Sequence, residues 1–86
     1  MFSQGPEHIP RYVISVASQL VGVPPHTLRT YDRANLVQPN RTDGNFRLYS
    51  DADIERLKRI VALSKQGVNL SGIKLILDLE DRLNDD

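Results

Sequence analysis

Eighty-six residues, 40% apolar and 26% charged, support one modest core in a single domain, and the absence of cysteine excludes disulfides, thiolate metal sites and cysteine nucleophiles together. No run of about 18 apolar residues is present to span a bilayer, and Met1–Arg11 lacks the apolar stretch of a signal peptide, so the cytoplasm is the expected compartment. The net charge of zero hides an asymmetry: residues 1–74 carry ten Lys and Arg against six Asp and Glu, whereas residues 75–86 carry one Arg against five acids, so a basic body can face phosphates while an acidic tail does not.

Residues 1–11, with two prolines and a glycine, are expected to be a flexible lead-in. Tyr12-Val13-Ile14 is a short β-favouring run ending at Ser15. Ser15 is placed to cap a short helix over Val16–Val21, whose apolar face is Ala17, Leu20 and Val21. Gly22 stops it, because glycine tolerates the left-handed position after a helix. Pro25 suits a first helical position, where its missing N–H had no partner anyway, so a second helix runs from about Pro25 to Ala34 and buries Leu28. Two short helices and a tight turn match the helix-turn-helix plan. Two brief alternating runs within Val37–Tyr49 then flank Asp43-Gly44, a hairpin-turn dipeptide, and form a candidate wing. Ser50 opens a third helix with Asp53 three residues on, close to a capping box, and Asp51 and Asp53 suit its positive start. Ile54, Leu57, Ile60, Val61 and Leu63 carry its apolar pattern, and Gly67 ends it. Asn69 or Ser71 caps a fourth helix reaching about Leu83.

The fold class is therefore mainly α: a winged helix-turn-helix with four helices and a short β-hairpin wing over residues 12–69. Residues 70–86 form a C-terminal helix that begins a dimerisation region and ends in an acidic tail. On that helix Leu70, Ile73 and Leu77 share one side, and Leu75, Ile76, Leu79 and Leu83 the other. One terminal helix can bury only one such stripe on its own core. The second wants either the same helix of another copy or a longer C-terminal region.

The stretch Tyr12–Glu80 resembles the MerR family of winged-helix regulators. LRTYDRANLV at Leu28–Val37 is the most diagnostic segment, and RLYS at Arg47–Ser50 supports it. YVISVAS at Tyr12–Ser18 and VNLSGIK at Val68–Lys74 are similar to the heat-shock repressor (HspR) branch. Asn45 and Phe46 stand where that branch usually has wing glycines, and Leu48 where it has a second arginine. The resemblance implies a homodimeric repressor on an inverted repeat, control of chaperone genes, and the Hsp70-type chaperone DnaK as co-repressor.

On this reading the second helix enters the major groove of double-stranded DNA. Its candidate contacts are His26, Thr27, Arg29, Thr30, Tyr31 and Arg33. Arg29 has the donor fork for guanine or phosphate, and the family resemblance implies DNA contact at Tyr31. The structural alternatives are a solvated face on which Arg29 and Arg33 pair with Asp32 or with nothing, and partial core packing of Tyr31, which is compatible with contact. Arg41 and Arg47 flank the turn on opposite strands, within reach of the backbone or the flanking minor groove. Tyr49 is expected to pack between wing and body with its hydroxyl near a phosphate. Phe46 covers the wing base or touches sugar or a partner. Ser15, opening a helix, offers a phosphate site as well as a cap. Lys58, Arg59 and Lys65 read as a solvated face. His8 and His26 are too isolated to ligate a metal, and no serine elbow or glycine-rich phosphate loop is present. No metal, cofactor or enzymatic activity is expected. The rival classes are an architectural or promoter-untwisting protein on the same fold, and a protein-interaction module working through the second apolar stripe.

Overall fold

Short strands and helices follow one another almost without connecting residues, and local capping chemistry sets where each begins and ends. The computed structural model describes residues 5–84. After a 3-10 turn at Pro6–His8 come β1 (Tyr12–Val13), α1 (Ile14–Val21), α2 (Pro25–Arg33), β2 (Asn40–Arg41), β3 (Arg47–Tyr49), α3 (Asp51–Lys65) and α4 (Leu70–Leu83). Of the lead-in, residues 1–4 lie outside the described residues; the Arg11 N–H donates to the Tyr49 carbonyl at 3.0 Å, which ties the segment's end to β3.

The first helix differs from the expectation in its start and in part of its inward face. It begins at Ile14, with Val13 rather than Ser15 at the N-cap, and Ser15 sits inside the first turn. The cause is β1: Tyr12 and Val13 pair with Tyr49 and Leu48, and the chain coils as soon as that pairing ends. Ile14, Ala17, Ser18 and Val21 face inward, with Ala17 and Val21 where the sequence places them. Leu20, expected on the core side, is exposed with Val16.

The second helix starts with Pro25 at its first position and ends through Asn35, whose φ of 61° is left-handed. The Asn35 N–H donates to the Asp32 carbonyl at 2.9 Å and the Leu36 N–H to the Tyr31 carbonyl at 3.0 Å, the paired bonds of a Schellman motif. This stop drives Leu36 and Val37 straight into the core.

The wing turns where Asp43-Gly44 indicates, in a three-residue form. The Thr42 N–H donates to the Phe46 carbonyl at 2.9 Å, and Asn45 takes the left-handed position with φ 65°. The wing is also not a lone hairpin. Its strand β3 lies between β2 and β1 in an antiparallel sheet of order β1-β3-β2, with Arg41 opposite Arg47 and Asn40 opposite Leu48.

Ser50 caps α3 with a complete capping box: its hydroxyl accepts from the Asp53 N–H at 3.1 Å, and the Asp53 carboxylate accepts from the Ser50 N–H at 2.9 Å. Gly67, at φ 92°, lets the chain reverse into α4, which Asn69 caps by accepting from the Gly72 N–H. Leu28, Leu36, Val37, Tyr49, Leu57, Ile60 and Ile73 are the largest fully buried side chains; α1, β3 and α4 pack against α3, and α2 packs against α1. Ile73 and Leu77 anchor α4. Ion pairs from Arg56 to Asp81 and from Arg59 to Glu80 fasten its outer end to α3. Arg59, read from sequence as part of a solvated face, is one of these clasps.

Candidate nucleic-acid interface

The turn between α1 and α2 projects one face of α2 outward, while Leu28 and Tyr31 hold the other face to the core. Helical spacing of three and four places His26, Arg29 and Arg33 together on the outer face, and all three are exposed. Thr27 and Thr30 flank them, half-buried. The Thr30 hydroxyl donates to the His26 carbonyl at 3.0 Å and accepts from Arg33 Nη2 at 3.3 Å, so it is engaged within its own helix. Arg29 has no ion-pair partner among the described residues, and neither Arg29 nor Arg33 pairs with Asp32.

Asp32 pairs with the wing instead. Its Oδ2 accepts from Arg41 Nη2 at 2.8 Å and from Arg47 Nε at 2.7 Å. One carboxylate thereby joins the last turn of α2 to both strands of the hairpin, and helix and wing present a single surface. Sequence reasoning considered Asp32 only as a partner for Arg29 and Arg33. The signal it could have used is that two arginines facing each other across a hairpin need an anion nearby.

Two aromatic candidates do not belong to that surface. Tyr31 is buried, with its ring packed in the core cluster that holds Leu28, as its packing alternative expected. Tyr49 is wholly buried, and its hydroxyl is enclosed without a hydrogen-bond partner among the described residues, so it is not presented to a phosphate. Burial raises the Tyr49 phenol above its ordinary range; Arg47 opposes that, Asp32 adds to it, Arg41 opposes it and Asp53 adds to it. Phe46 does not cover the wing base either: it is 70% exposed. Its ring lies across Gly44, where a β-carbon would come within 3.0 Å of Cε2.

Ser15 is exposed in the first turn of α1, whose N–H groups have no intrahelical acceptors. It can therefore donate to an anion although it is not the cap. On α4, Leu75, Leu79 and Leu83 are 62%, 49% and 80% exposed, while Ile76 packs partly against the core. Three of the four residues assigned to the second stripe are thus free at the surface. Among the described residues no group of three or more His, Cys, Asp or Glu could hold a metal, and no helix is long and apolar enough to cross a membrane.

Residues 12–80 match the family model described as MerR HTH family regulatory protein. The chain is 54% identical over 78 residues to the Streptomyces coelicolor protein named HspR for heat shock, covering 90% of this chain and 52% of that protein. It is 41% identical over 69 residues to the Bacillus subtilis transcriptional activator mta, covering 79% of this chain and 27% of that one. The chain therefore spans about half of the first relative's length and less of the second's. Among solved structures it is similar to the N-terminal part of the Bacillus subtilis multidrug transporter activator, with TM-score 0.73 and 40% identity, covering 79% of this chain and 65% of that one. It is also similar to HiNmlR, described as a MerR family regulator lacking the sensor domain and bound to promoter DNA. There the TM-score is 0.70 at 28% identity, covering 78% of this chain and 54% of that one.

Proposed function

The chain belongs to the MerR HTH family of regulatory proteins, and from that premise we propose that it is a sequence-specific DNA-binding repressor. The reading has two copies bind an inverted repeat, each laying α2 in the major groove and the wing on the flanking backbone or minor groove. Arg29 reads a base edge or grips a phosphate, and Arg33 and His26 extend the contact along the same face. Arg41 and Arg47 hold the backbone beside it, and the first-turn N–H of Ser15 meets a phosphate. Thr27 and Thr30 border the groove-facing side.

The observation that carries this reading is the joining of α2 to the wing through Asp32, next to an unpaired Arg29. The arginines of α3 are occupied elsewhere, by Asp81 and Glu80 of α4, whereas Arg29 on the α2 face has no ion-pair partner among the described residues. The likeness to a regulator solved on promoter DNA supports the DNA partner. The identity with a protein named for heat shock supports heat-shock genes as targets, and chaperone genes with a DnaK-type co-repressor are carried only by the sequence resemblance to the heat-shock branch. The exposed leucines of α4 supply the dimer contact, and the cytoplasm is the compartment in which such a DNA target is met.

The test is a titration of the chain against a duplex enriched from a randomised inverted-repeat pool and against random duplex, at two salt concentrations. The reading expects the enriched duplex to be preferred by at least about a thousandfold, with affinity for both falling as salt rises. Equal, weak binding to all duplexes would contradict it and favour a role in protein contacts.

A further inference from the structure

Arg41 and Arg47 are direct cross-strand partners in the wing, a position where like charges repel and destabilise a hairpin. Asp32 resolves that repulsion with one oxygen, Oδ2, at 2.8 Å from Arg41 Nη2 and 2.7 Å from Arg47 Nε. The clasp is shielded on one side: the side chains of Asp32 and Arg47 are 17% and 19% exposed, while that of Arg41 is 40% exposed. It also lies at the C-terminal end of α2, where the helix dipole favours cations.

Each guanidinium gives one nitrogen to Asp32. Arg47 keeps Nη1 and Nη2, and Arg41 keeps Nε and Nη1, without an acceptor among the described hydrogen bonds. The clasp therefore fixes two planar donor groups while leaving part of each fork unspent. At the same time it keeps a negative charge on the recognition helix, next to where phosphates must come, and that charge opposes binding to any duplex.

We propose that Asp32 is the positioning residue that sets discrimination in the DNA interface. It aims the spare donors of Arg41 and Arg47 at one backbone phosphate and fixes the spacing between wing and α2. A duplex whose groove and backbone match that spacing receives both arginines and Arg29 together. A duplex that does not match meets a rigid wing and an extra negative charge. Asp32 thus lowers affinity for DNA in general and raises the ratio between the right sequence and the rest. This rests on the DNA-binding reading above.

The experiment uses the full chain, a duplex enriched by the wild type from a randomised inverted-repeat pool, and a random duplex of equal length. Fluorescence anisotropy is read at several salt concentrations, with a thermal melt of each variant. Asp32→Asn is expected to bind random duplex several-fold more tightly, with a salt slope steeper by about one, while the preference for the enriched duplex falls by about tenfold. Asp32→Glu keeps the charge and should return the random-duplex affinity and salt slope to the wild-type values. A preference ratio unchanged by Asp32→Asn, or affinities for both duplexes falling together, overturns the proposal. Should Asp32→Asn fail to fold, Arg41→Gln and the double variant decide. With one arginine gone the repulsion is relieved, so adding Asp32→Asn to Arg41→Gln restores folding and costs less than half the tenfold loss of preference. A double variant that stays unfolded, or that loses the full tenfold, overturns the proposal. If the wild type enriches no duplex at all, the DNA-binding reading itself has failed, an outcome separate from any behaviour of Asp32.

Discussion

Tyr49 buries its whole ring at the junction of wing, α1 and α3, and encloses a hydroxyl that finds no partner among the described residues. An unsatisfied buried polar group costs about 1–3 kcal/mol, so Tyr49→Phe should leave stability unchanged or raise it by roughly 1 kcal/mol in urea unfolding. A loss larger than about 1 kcal/mol would show that the hydroxyl is bonded after all. The phenol's raised pKa has a second consequence. A tyrosine that holds its proton more tightly when folded contributes fully below the unfolded value of about 10, and that contribution is lost as pH climbs through the raised native value. Alkaline unfolding should therefore begin near the ordinary tyrosine range, and Tyr49→Phe should blunt it. Arg29 stands at the opposite extreme, exposed and without an ion-pair partner. Arg29→Ala should weaken binding to the enriched duplex by about 1–3 kcal/mol with the melting temperature unchanged. Exposure of Arg29 and Arg33 was legible from helical spacing. The packing of Tyr49 between wing and body was legible too, but the enclosure of its hydroxyl was not, because an amphipathic ring satisfies a core site and a groove site equally well in sequence.

Helix ends were the most readable features of the chain, since capping is local chemistry. The Ser50–Asp53 box and the Asn69 cap stand where their side chains indicate. Ser50→Ala should cost about 1 kcal/mol, a fall of roughly 4–8 °C in melting temperature for a domain of this size. No change would mean that another group satisfies the first turn of α3. Sequence showed β1 as a β-favouring run but not its pairing. Two residues make no periodic pattern, and the partner strand β3 lies about 36 positions away. That pairing moved the start of α1, and with it the cap from Ser15 to Val13. Leu20 lies outside because the stripe of Ile14, Ala17, Ser18 and Val21 meets the core, and the small serine on that stripe gives no apolar signal in sequence.

Across the whole molecule, charge is sorted rather than balanced. Glu80 and Asp81 of α4 bind the arginines of α3, and Arg59 donates a hydrogen bond that holds the Glu80 carboxyl below its ordinary range. That contribution is complete above the unfolded glutamate value and is lost as pH falls through the lowered native one, so the hold of α4 on α3 should weaken in acid. Amide exchange along α4 as pH is lowered would register it, and protection unchanged through the carboxylate range would contradict it. The same sorting leaves the leucines at 75, 79 and 83 facing outward. Leu79→Glu should convert a dimer to a monomer in sedimentation equilibrium, and a dimer that survives would place the interface elsewhere.

The central claim is that α2 and the wing act as one DNA-reading surface. Its most direct measurement is the affinity of an Arg29→Ala/Arg47→Ala double variant for the enriched duplex, with a thermal melt to confirm that the fold is intact. The account predicts a loss of at least about a hundredfold, with much less effect on random duplex. A folded double variant that binds the enriched duplex as tightly as the wild type would contradict it.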